Sequence, residues 1–552
     1  MTVIVNGGTH DAQTQLHLNM MTDTLISSLP PDGLRSVTRS MLAVHPQFTK
    51  SFEHYTRLYV RERATALFQS LDTECGLKDL EQTQLVCRCM VGSGLVFEVL
   101  PLLAKLADSA AKLQTNDRER KSALLASIDG DLVQAVTAVQ KAVTVASGTR
   151  ELTNHERLAV RDLFDSVSTS VSRNSTAGSG YIFDRGRTAS AGILGIDPSE
   201  DETQADSDAL RHTPPPPAAG ETFIISQLTL PRIFSGLWQM SSPSWGSAPM
   251  SMIMGQLGKH VSSGFTSFDM ADHYGDAELI FGRFRARYPH KEAVFAATKI
   301  CIFQRMPNVT REAMAANVSE RCKRLQMSKL DLVQFHWQYY DDGSYLDALR
   351  FLQEDDRVGK LGLCNFDTAN MQLAIESGIK IHTNQVQFSL IDSRPAEKMA
   401  AFCDEHGVKL LTYGTLCGGF LSDKWLGKAE PDLYSAASAT TPSQRKYFSM
   451  ISNWGGWELL QELLQVLRSI ATKHDVPGIS NVATRWVLDW PCVGAVIVGA
   501  RMGVSDHSDD NLASFGWSLN DEDREAIDVV LRKSKRKEMF EIMGDCGAEY
   551  RT

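Results

Sequence analysis

The chain has 552 residues, which is too long for one ordinary domain and predicts several units, fewer if one is a large barrel. Its formal net charge of −10 argues against a nucleic acid or an anionic membrane bound through bulk charge. Hydrophobic residues make up 43% of the chain, which is enough to form substantial cores.

The cysteines and the N-terminus indicate a reducing compartment. The ten cysteines are scattered and none forms a CxxC pair, so we expect free thiols rather than a disulfide framework or a metal site. The first residues have neither a basic region nor a long apolar core, and no apolar run approaches 18 residues. These features predict a cytoplasmic protein with no membrane-spanning segment.

The first third of the chain has a helical pattern. Residues 1–45 are mixed and polar, and we expect them to be poorly ordered apart from one short helix. Over residues 46–171 apolar side chains recur at helical spacing, as at Leu95, Val99 and Leu102, which predicts an all-α domain. This domain has no catalytic constellation, and we expect it to serve interaction or oligomerisation.

Residues 172–221 have the composition of a disordered linker. They are rich in Ser, Thr, Gly and Ala, contain an acidic stretch, and end near four prolines at 214–217. Such a segment cannot bury a core. Its RGRTAS run would suit a basophilic kinase acting on Thr188 or Ser190, although short motifs of this kind are common by chance.

From residue 222 to residue 540 short apolar runs alternate with helical patterns. The strand candidates are residues 230–238, 265–271, 293–300, 330–337, 361–366, 382–390, 408–416 and 493–500. Eight such units predict a closed parallel (β/α)₈ TIM barrel. A doubly wound sheet would need a Gly-rich phosphate loop after its first strand, and none is present. The long segment 417–456 is a candidate lid or pocket wall, and residues 541–552 form a C-terminal tail.

Four polar residues follow the apolar runs at the face where barrel active sites lie. They are Asp269, Tyr274, Lys299 and His336. A phenol has an unperturbed pKa of about 10, which a nearby ammonium lowers. The aspartate would position the lysine, and the histidine would orient a carbonyl oxygen. Together these residues predict proton donation to a carbonyl oxygen, with a cofactor supplying the hydride. Each residue alone is equally compatible with a structural role.

The motifs that contain these residues resemble the aldo-keto reductase family over about residues 228–540. They are SGLWQM, DMADHYG, ATK, QFHW, GLCNFD, NQVQFS, TYGTLCGGFL and VIVGARMGVSDHSDDN, one for each strand. The resemblance assigns the catalytic tetrad to Asp269, Tyr274, Lys299 and His336. It also implies that Trp238, His273 and Trp337 are walls of the substrate pocket.

The resemblance further implies an extended nicotinamide dinucleotide bound without a Rossmann fold. Its expected contacts are Gly236, Leu237, Asp269, Cys364, Asn365, Gln385, Tyr413, Gly414, Thr415, Leu416, Gly499, Arg501, His507, Asp510 and Asn511. Tyr413 is expected to stack on the nicotinamide, and Arg501 to meet the 2′-phosphate of NADP(H), although NAD(H) stays open. Cys364 stands where serine is usual, and His507 where arginine is common.

The resemblance therefore predicts an NADP(H)-dependent oxidoreductase that reduces an aldehyde or ketone to an alcohol. The alternative is a regulatory or redox-sensing adaptor that carries a cofactor-binding barrel, as in the β-subunits of potassium channels. The expected partner is a small-molecule carbonyl or alcohol, without nucleic acid or membrane. A protein partner is also expected if the N-terminal helices serve as an interaction module.

Overall fold

The computed structural model describes residues 26, 28–71, 75–145, 148–169, 182–196, 213–215, 221–241, 246, 248–303, 305–306, 308–431 and 441–551. A small unit contains the described residues up to Thr56 together with residues 429–431, and it includes the helix α1, Pro31–Val44. The main unit contains the described residues from Arg57 to Lys428 and from Thr441 onward. It comprises a helical domain and a barrel.

The helical domain has the all-α architecture that the sequence predicts. Its helices are α2 (Thr49–Ser70, whose later part belongs to the main unit), α3 (Leu77–Gly92), α4 (Leu100–Lys112), α5 (Arg118–Val143) and α6 (Asn154–Thr169). A short hairpin, β1 (Thr144–Val145) with β2 (Gly148–Thr149), follows α5. Leu80, Leu103 and Leu132 are fully buried where the helices meet. Burying each such side chain stabilises the domain by about 1.5–3 kcal/mol.

Helix α5 also has the length and hydropathy of a membrane-spanning segment, and it is the one such helix in the described part of the chain. However, 61% of its apolar window is buried inside the protein. Ile128, Leu132 and Ala135 on this helix are fully buried. Packing in the centre of the helical domain therefore accounts for its apolar composition.

Part of the predicted linker is helical, which corrects that prediction over residues 184–194. This segment is the helix α7, Asp184–Leu194, and it ends at Gly195 in the left-handed conformation (φ 72°). Ala189 of α7 lies in the core of the helical domain, so α7 belongs to that domain. Its buried face consists of small and polar residues, so the hydrophobic pattern did not reveal it. A Cβ at Gly186 would lie 2.7 Å from Leu132, so only glycine allows this close approach of α7 to α5.

The burial of α7 also bears on the kinase motif. Thr188 is 6% exposed and Ser190 is fully buried, and Ser190 donates to the Gly186 carbonyl. Neither hydroxyl is accessible to a kinase in this conformation. The acidic stretch and the second half of the proline run lie outside the described residues.

The barrel confirms the predicted (β/α)₈ architecture. Its strands are β5 (Ile233–Gly236), β6 (Ser267–Asp269), β7 (Phe295–Ile302), β8 (Leu332–Trp337), β9 (Leu361–Cys364), β10 (Thr383–Gln387), β11 (Lys409–Tyr413) and β12 (Val493–Gly499). All are parallel, and β12 pairs with β5 to close the ring. A hairpin of β3 (Thr222–Ile225) and β4 (Leu228–Pro231) packs Phe223 and Leu230 against Phe234 in the barrel core.

Helices surround the strands and extend beyond the predicted set. They are α8 (Met250–Ser262), α9 (Ala277–Arg287), α10 (Arg311–Leu325), α11 (Ser344–Glu354), α12 (Thr368–Glu376), α13 (Met399–His406), α14 (Pro442–Trp454), α15 (Gly456–Lys473), α16 (Ile479–Leu488), α17 (Ser508–Leu512), α18 (Asp521–Leu531) and α19 (Arg536–Met543). Helix α14 lies inside the segment 417–456. It begins at a capping box of Thr441 and Gln444, and Trp454 at its end is fully buried.

Candidate functional site

A buried ion pair joins the second and third barrel strands. Lys299 Nζ on β7 donates to both carboxylate oxygens of Asp269 on β6, at 2.8 and 2.7 Å, and to the Met270 carbonyl at 3.0 Å. Both side chains are almost completely buried. Burial disfavours the charged lysine, but the charge and hydrogen bonds of Asp269, together with Tyr274 and Cys364, outweigh this and raise the pKa of Lys299. The ammonium therefore stays charged inside the barrel.

Two amide side chains complete the surroundings of Asp269. Gln334 and Gln385 donate to its Oδ1 at 3.0 and 2.7 Å, and Gln385 also donates to Gln334 Oε1 at 2.9 Å. Gln385 was expected to bind the cofactor, and Gln334 was not among the expected site residues. The position of Gln334 two residues before His336 was the available signal, because alternate residues of a strand share one face.

Tyr274 lies in the turn between β6 and α9, above this ion pair. Lys299 Nζ is 4.8 Å from the centre of its ring. We expected the ammonium to lower the pKa of the phenol. Instead burial raises the pKa of Tyr274, and the opposing effect of Lys299 is smaller. The phenol is therefore protonated at neutral pH, as a proton donor must be.

His336, on β8, is the fourth member of the group. Burial, together with His273 and Lys299, lowers the pKa of His336 to about 4, so its imidazole is neutral at pH 7. Asn365 Nδ2 lies 3.4 Å from His336 Nε2. An amide nitrogen only donates, so this contact requires an unprotonated Nε2. The tetrad thus comes from three adjacent strands and the turn that follows one of them.

Aromatic rings surround the tetrad. His273 makes edge contacts with Tyr274 and Phe303 at 4.8 and 4.9 Å between ring centres, and Phe303 also contacts His336 at 5.7 Å. Phe303 was not singled out in the sequence. Of the other expected pocket walls, Trp238 is 41% exposed. Trp337 is buried against Phe335 and Tyr339 rather than open to the mouth.

The residues expected around the nicotinamide lie next to the tetrad. Tyr413, at the end of β11, donates its hydroxyl to Asn365 Oδ1 at 2.9 Å. Cys364 is buried, which raises the pKa of its thiol to about 12, and its sulfur lies 4.0 Å from Gln385 Oε1. A neutral thiol at this position is a weaker hydrogen-bond donor than a hydroxyl group.

The backbone segments expected to face the cofactor are close to these side chains. Leu237 is buried, and its N–H donates to the Asp269 carbonyl at 2.9 Å. Thr415 is also buried and donates to the Phe388 carbonyl, whereas Leu416 is half-buried. Gly414 has a φ of 72° and lies against the Tyr447 hydroxyl, so a side chain there would clash.

A separate shallow cleft opens beside β5 and β12. Gly499, Arg501, His507 and Asn511 belong to its lining, and Asp510 lies 3.5 Å from His507 at its edge. Gly236 next to Gly499 has no room for a side chain, because a Cβ would lie 2.7 Å from Ile497. Arg501 pairs with no carboxylate among the described residues. A guanidinium beside an open cleft fits the phosphate of a dinucleotide.

The C-terminal segment covers part of the barrel mouth, although the sequence analysis treated it only as a tail. Lys446 donates to the Tyr550 hydroxyl at 2.8 Å, and this hydroxyl lies 3.1 Å from that of Tyr413. The Tyr550 ring contacts His336 at 5.7 Å. Glu549 accepts two bonds of 2.9 Å from Arg394, which fixes the segment.

One group near the tetrad has the residue types of a metal site. Ligand atoms of Asp272, His273 and Cys301 lie within 4.8 Å of one another. However, Asp272 already accepts from Lys141 Nζ, from His273 and from the Cys301 backbone. Burial also raises the pKa of the Cys301 thiol well above its ordinary value. These donors are therefore poorly suited to a cation.

The chain forms a closed parallel (β/α)₈ barrel with a buried group of Asp269, Tyr274, Lys299 and His336 at the C-terminal end of its strands. The model of the Aldo/keto reductase family matches residues 232–532, more than half of the chain, and the chain belongs to this family of oxidoreductases. Aldo-keto reductase YhdN of Bacillus subtilis is 24% identical over 311 residues, covering 55% of this chain and 90% of that protein.

Two further similarities were found. Flagellar radial spoke protein 5 of Chlamydomonas reinhardtii is 32% identical over 182 residues, which are 30% of this chain and 34% of that protein. Among solved structures, a glycerol dehydrogenase from Gluconobacter oxydans has 24% identity and a TM-score of 0.45. The match covers 58% of this chain and 97% of the glycerol dehydrogenase chain.

Proposed function

We propose that the protein is an NADP(H)-dependent reductase that converts an aldehyde or ketone to an alcohol. The observation that carries this proposal is the position of the protonated Tyr274 above the Lys299–Asp269 pair, with neutral His336 on the next strand. These groups can donate a proton to a carbonyl oxygen and orient it. A cytoplasmic location suits such a role.

Each residue of the tetrad has a distinct role in the proposed reaction. Tyr274 donates its proton to the carbonyl oxygen, and His336 donates a hydrogen bond that orients this oxygen. In the contact with Asn365 the neutral imidazole has an unprotonated Nε2. To donate to the substrate it must adopt the other tautomer, in which Nε2 carries the proton. The fixed charge of Lys299 stabilises the phenolate left on Tyr274.

The nicotinamide, when bound, supplies the hydride. Asn365, Gln385 and Tyr413 would hold its ring, with Gly414, Thr415 and Leu416 near the pyrophosphate. The open cleft with Arg501 supports NADP(H) over NAD(H), because a guanidinium binds a phosphate through two hydrogen bonds. Replacing Arg501 by Met would separate the two cofactors, since it weakens NADPH binding and leaves NADH binding unchanged.

The variant Tyr274→Phe tests the proposal directly. It removes the proton donor and keeps the ring above Lys299, so we expect kcat/KM to fall by about 10²–10⁴. NADPH oxidation with a panel of small aldehydes measures this loss, and NADPH fluorescence measures binding, which should be nearly unchanged. Tyr288→Phe, at a buried tyrosine beside Phe284, is the matched control. Normal turnover by Tyr274→Phe would reject the proposal.

A second proposal is that the N-terminal helices bind a protein partner and that the barrel serves as a cofactor-sensing adaptor. It is favoured by large apolar side chains on α2 and α3, where Leu58, Tyr59 and Leu85 are 49%, 65% and 60% exposed. The Tyr274→Phe variant separates the two functions. An adaptor role survives this change, whereas carbonyl reduction does not.

A further inference from the structure

The turn that carries Tyr274 has a carboxylate on each side of the tyrosine. Asp272 and Asp276 are buried two residues before and two residues after it. The turn has few backbone bonds of its own: Tyr274 N–H donates to the Ala271 carbonyl and Ala277 N–H to the Tyr274 carbonyl, both at 3.1 Å, and Asp272 N–H donates to the Lys299 carbonyl of β7 at 3.3 Å. Its position therefore depends on what holds the two carboxylates.

A cation of the helical domain pairs with the first carboxylate. Lys141, near the end of α5, donates from Nζ to Asp272 Oδ2. The Asp272 side chain is 1% exposed, whereas Lys141 is 34% exposed and brings its charge in from the surface. On the barrel side, Arg321 of α10 lies 3.8 Å from the same oxygen. Lys141 is thus the closer cation, and it belongs to another domain.

A second cation of the helical domain pairs with Asp276. Arg185, in the first turn of α7, donates from Nε and Nη2 to the two oxygens of Asp276, each at 2.7 Å. Both side chains are buried, so water cannot replace either partner. Asp129 of α5 accepts from the backbone N–H groups of Arg185 and Gly186, at 3.3 and 2.7 Å, and so fixes the start of α7.

The helical domain also contacts the residue next to the tyrosine. A Cβ on Gly275 would lie 2.7 Å from Gln134 Nε2 of α5 and 2.9 Å from the Met240 carbonyl. Gln134 Nε2 lies 3.3 Å from this same carbonyl and donates to it. From the barrel, Arg324 donates to the Gly275 carbonyl at 2.7 Å. The turn is therefore enclosed between α5 on one side and α10 on the other.

We propose that the helical domain is a positioning element of the active site, in which Lys141 and Arg185 fix Tyr274 by holding the carboxylates on either side of it. This proposal rests on the proposed reductase function. A displacement of a reacting group by about 1 Å costs roughly 100-fold in rate. Loss of these ion pairs should therefore lower kcat, although neither Lys141 nor Arg185 touches a substrate.

The experiment compares Lys141→Met, Arg185→Met and Lys141→Arg in the full chain, with NADPH and 4-nitrobenzaldehyde as probes. We expect the two Met variants to lower kcat by about 10- to 100-fold. The KM for the aldehyde and the Kd for NADPH should stay within about threefold, because the binding residues are elsewhere. Lys141→Arg keeps the charge and should restore kcat to within about threefold of the unmodified chain.

Amide hydrogen exchange provides a readout that does not need turnover. Exchange in residues 272–277 should accelerate in both Met variants, because the turn opens more often. The matched control is Arg120→Met, which breaks an ion pair between α5 and Glu81 inside the helical domain. It should change neither kcat nor exchange in the turn.

The outcomes separate this inference from the proposed function. Met variants that fold, as circular dichroism would show, and that keep normal kcat and normal exchange would overturn the positioning role. If Arg185→Met does not fold, Lys141→Met decides, because its side chain is partly exposed. If the unmodified chain reduces no aldehyde, the reductase proposal fails, and the exchange data alone then test whether the cations hold the turn.

Discussion

The members of the tetrad are held in place in two different ways. Lys299, Asp269 and His336 lie on strands, and the hydrogen bonds of the parallel ladder fix their backbones. Tyr274 lies on a turn, and the carboxylates on either side of it pair with Lys141 and Arg185 of the helical domain, 131 and 91 residues earlier in the chain. The strand residues are therefore held by the barrel alone, whereas the turn that carries Tyr274 is held by the barrel and the helical domain together.

This difference shows where each part of the site is vulnerable. The strand residues are coupled through one carboxylate, Asp269, which accepts from Lys299, Gln334 and Gln385. A change there should affect stability and activity together. A change at the contact with the helical domain should affect activity more than the stability of the barrel. The reason is that no barrel strand contributes a cation to this contact.

The largest expected effect is that of Lys299→Met, within the barrel. It leaves Asp269 buried without its cation, so we expect a loss of about 3–5 kcal/mol in the free energy of unfolding. Turnover should fall by at least about 10³, because both the charge and the position of the phenol are lost. Thermal unfolding and NADPH oxidation measure the two effects. Lys329→Met, at an exposed lysine, is the control and should change neither. A Lys299→Met variant that is stable and active would contradict the coupling of the strand residues through Asp269.

An intermediate effect is expected for Gly275→Ala, at the contact between the domains. Gly275 has a φ of 59°, and a methyl group would meet Gln134 and the Met240 carbonyl. We expect a cost of about 1–3 kcal/mol and a lower kcat. Adding Gln134→Ala should restore part of the lost stability and part of the lost kcat. Thermal unfolding and turnover measure the two effects. If the second change restores nothing, Gln134 is not the obstructing group.

The smallest effect is a difference in pH dependence between the two regions. Burial raises the pKa of Asp129 to about 7, partly offset by Arg185, whereas the pKa of His336 is lowered to about 4. A raised carboxyl pKa gives stability that is lost as pH rises from about 4 to 7. A lowered histidine pKa gives stability that is lost as pH falls from about 6.5 to 4.

The variant Asp129→Asn separates these two contributions. The amide oxygen can still accept from the start of α7, but the group no longer ionises. The Tm of this variant relative to the unmodified chain should therefore rise between about pH 4 and pH 7 and level off above pH 7. A difference in Tm that is constant over this range would mean that Asp129 does not ionise there.

The sequence was sufficient to predict the barrel, and the four residues that it singled out come from three adjacent strands and the turn after one of them. Each strand is a local apolar run, and Lys299 and His336 lie near the ends of such runs. The short-range pattern therefore contains the positions of the strands and of these two residues. Helix α7 was missed because its buried face is small and polar, and such a face has no hydrophobic period. The pKa of Tyr274 was predicted in the wrong direction because its burial depends on packing by distant segments.

The contacts of the site that come from distant segments could not be predicted. Lys141 and Arg185 are separated from their carboxylates by 131 and 91 residues, and nothing in their local sequence marks them as partners of a barrel turn. Tyr550 belongs to a segment that was treated as a tail beyond the barrel. Spacing along the chain gives no information about such pairings, which only the tertiary fold creates.

The same separation has a consequence for the order of synthesis. A ribosome completes the helical domain before it makes the turn of residues 271–276, and domains generally fold as units in that order. Lys141 and Arg185 then already lie on a folded surface when Asp272 and Asp276 emerge. The catalytic turn can thus form against an existing template, and the N-terminal helices act on the barrel as an intramolecular folding guide before they act on its chemistry.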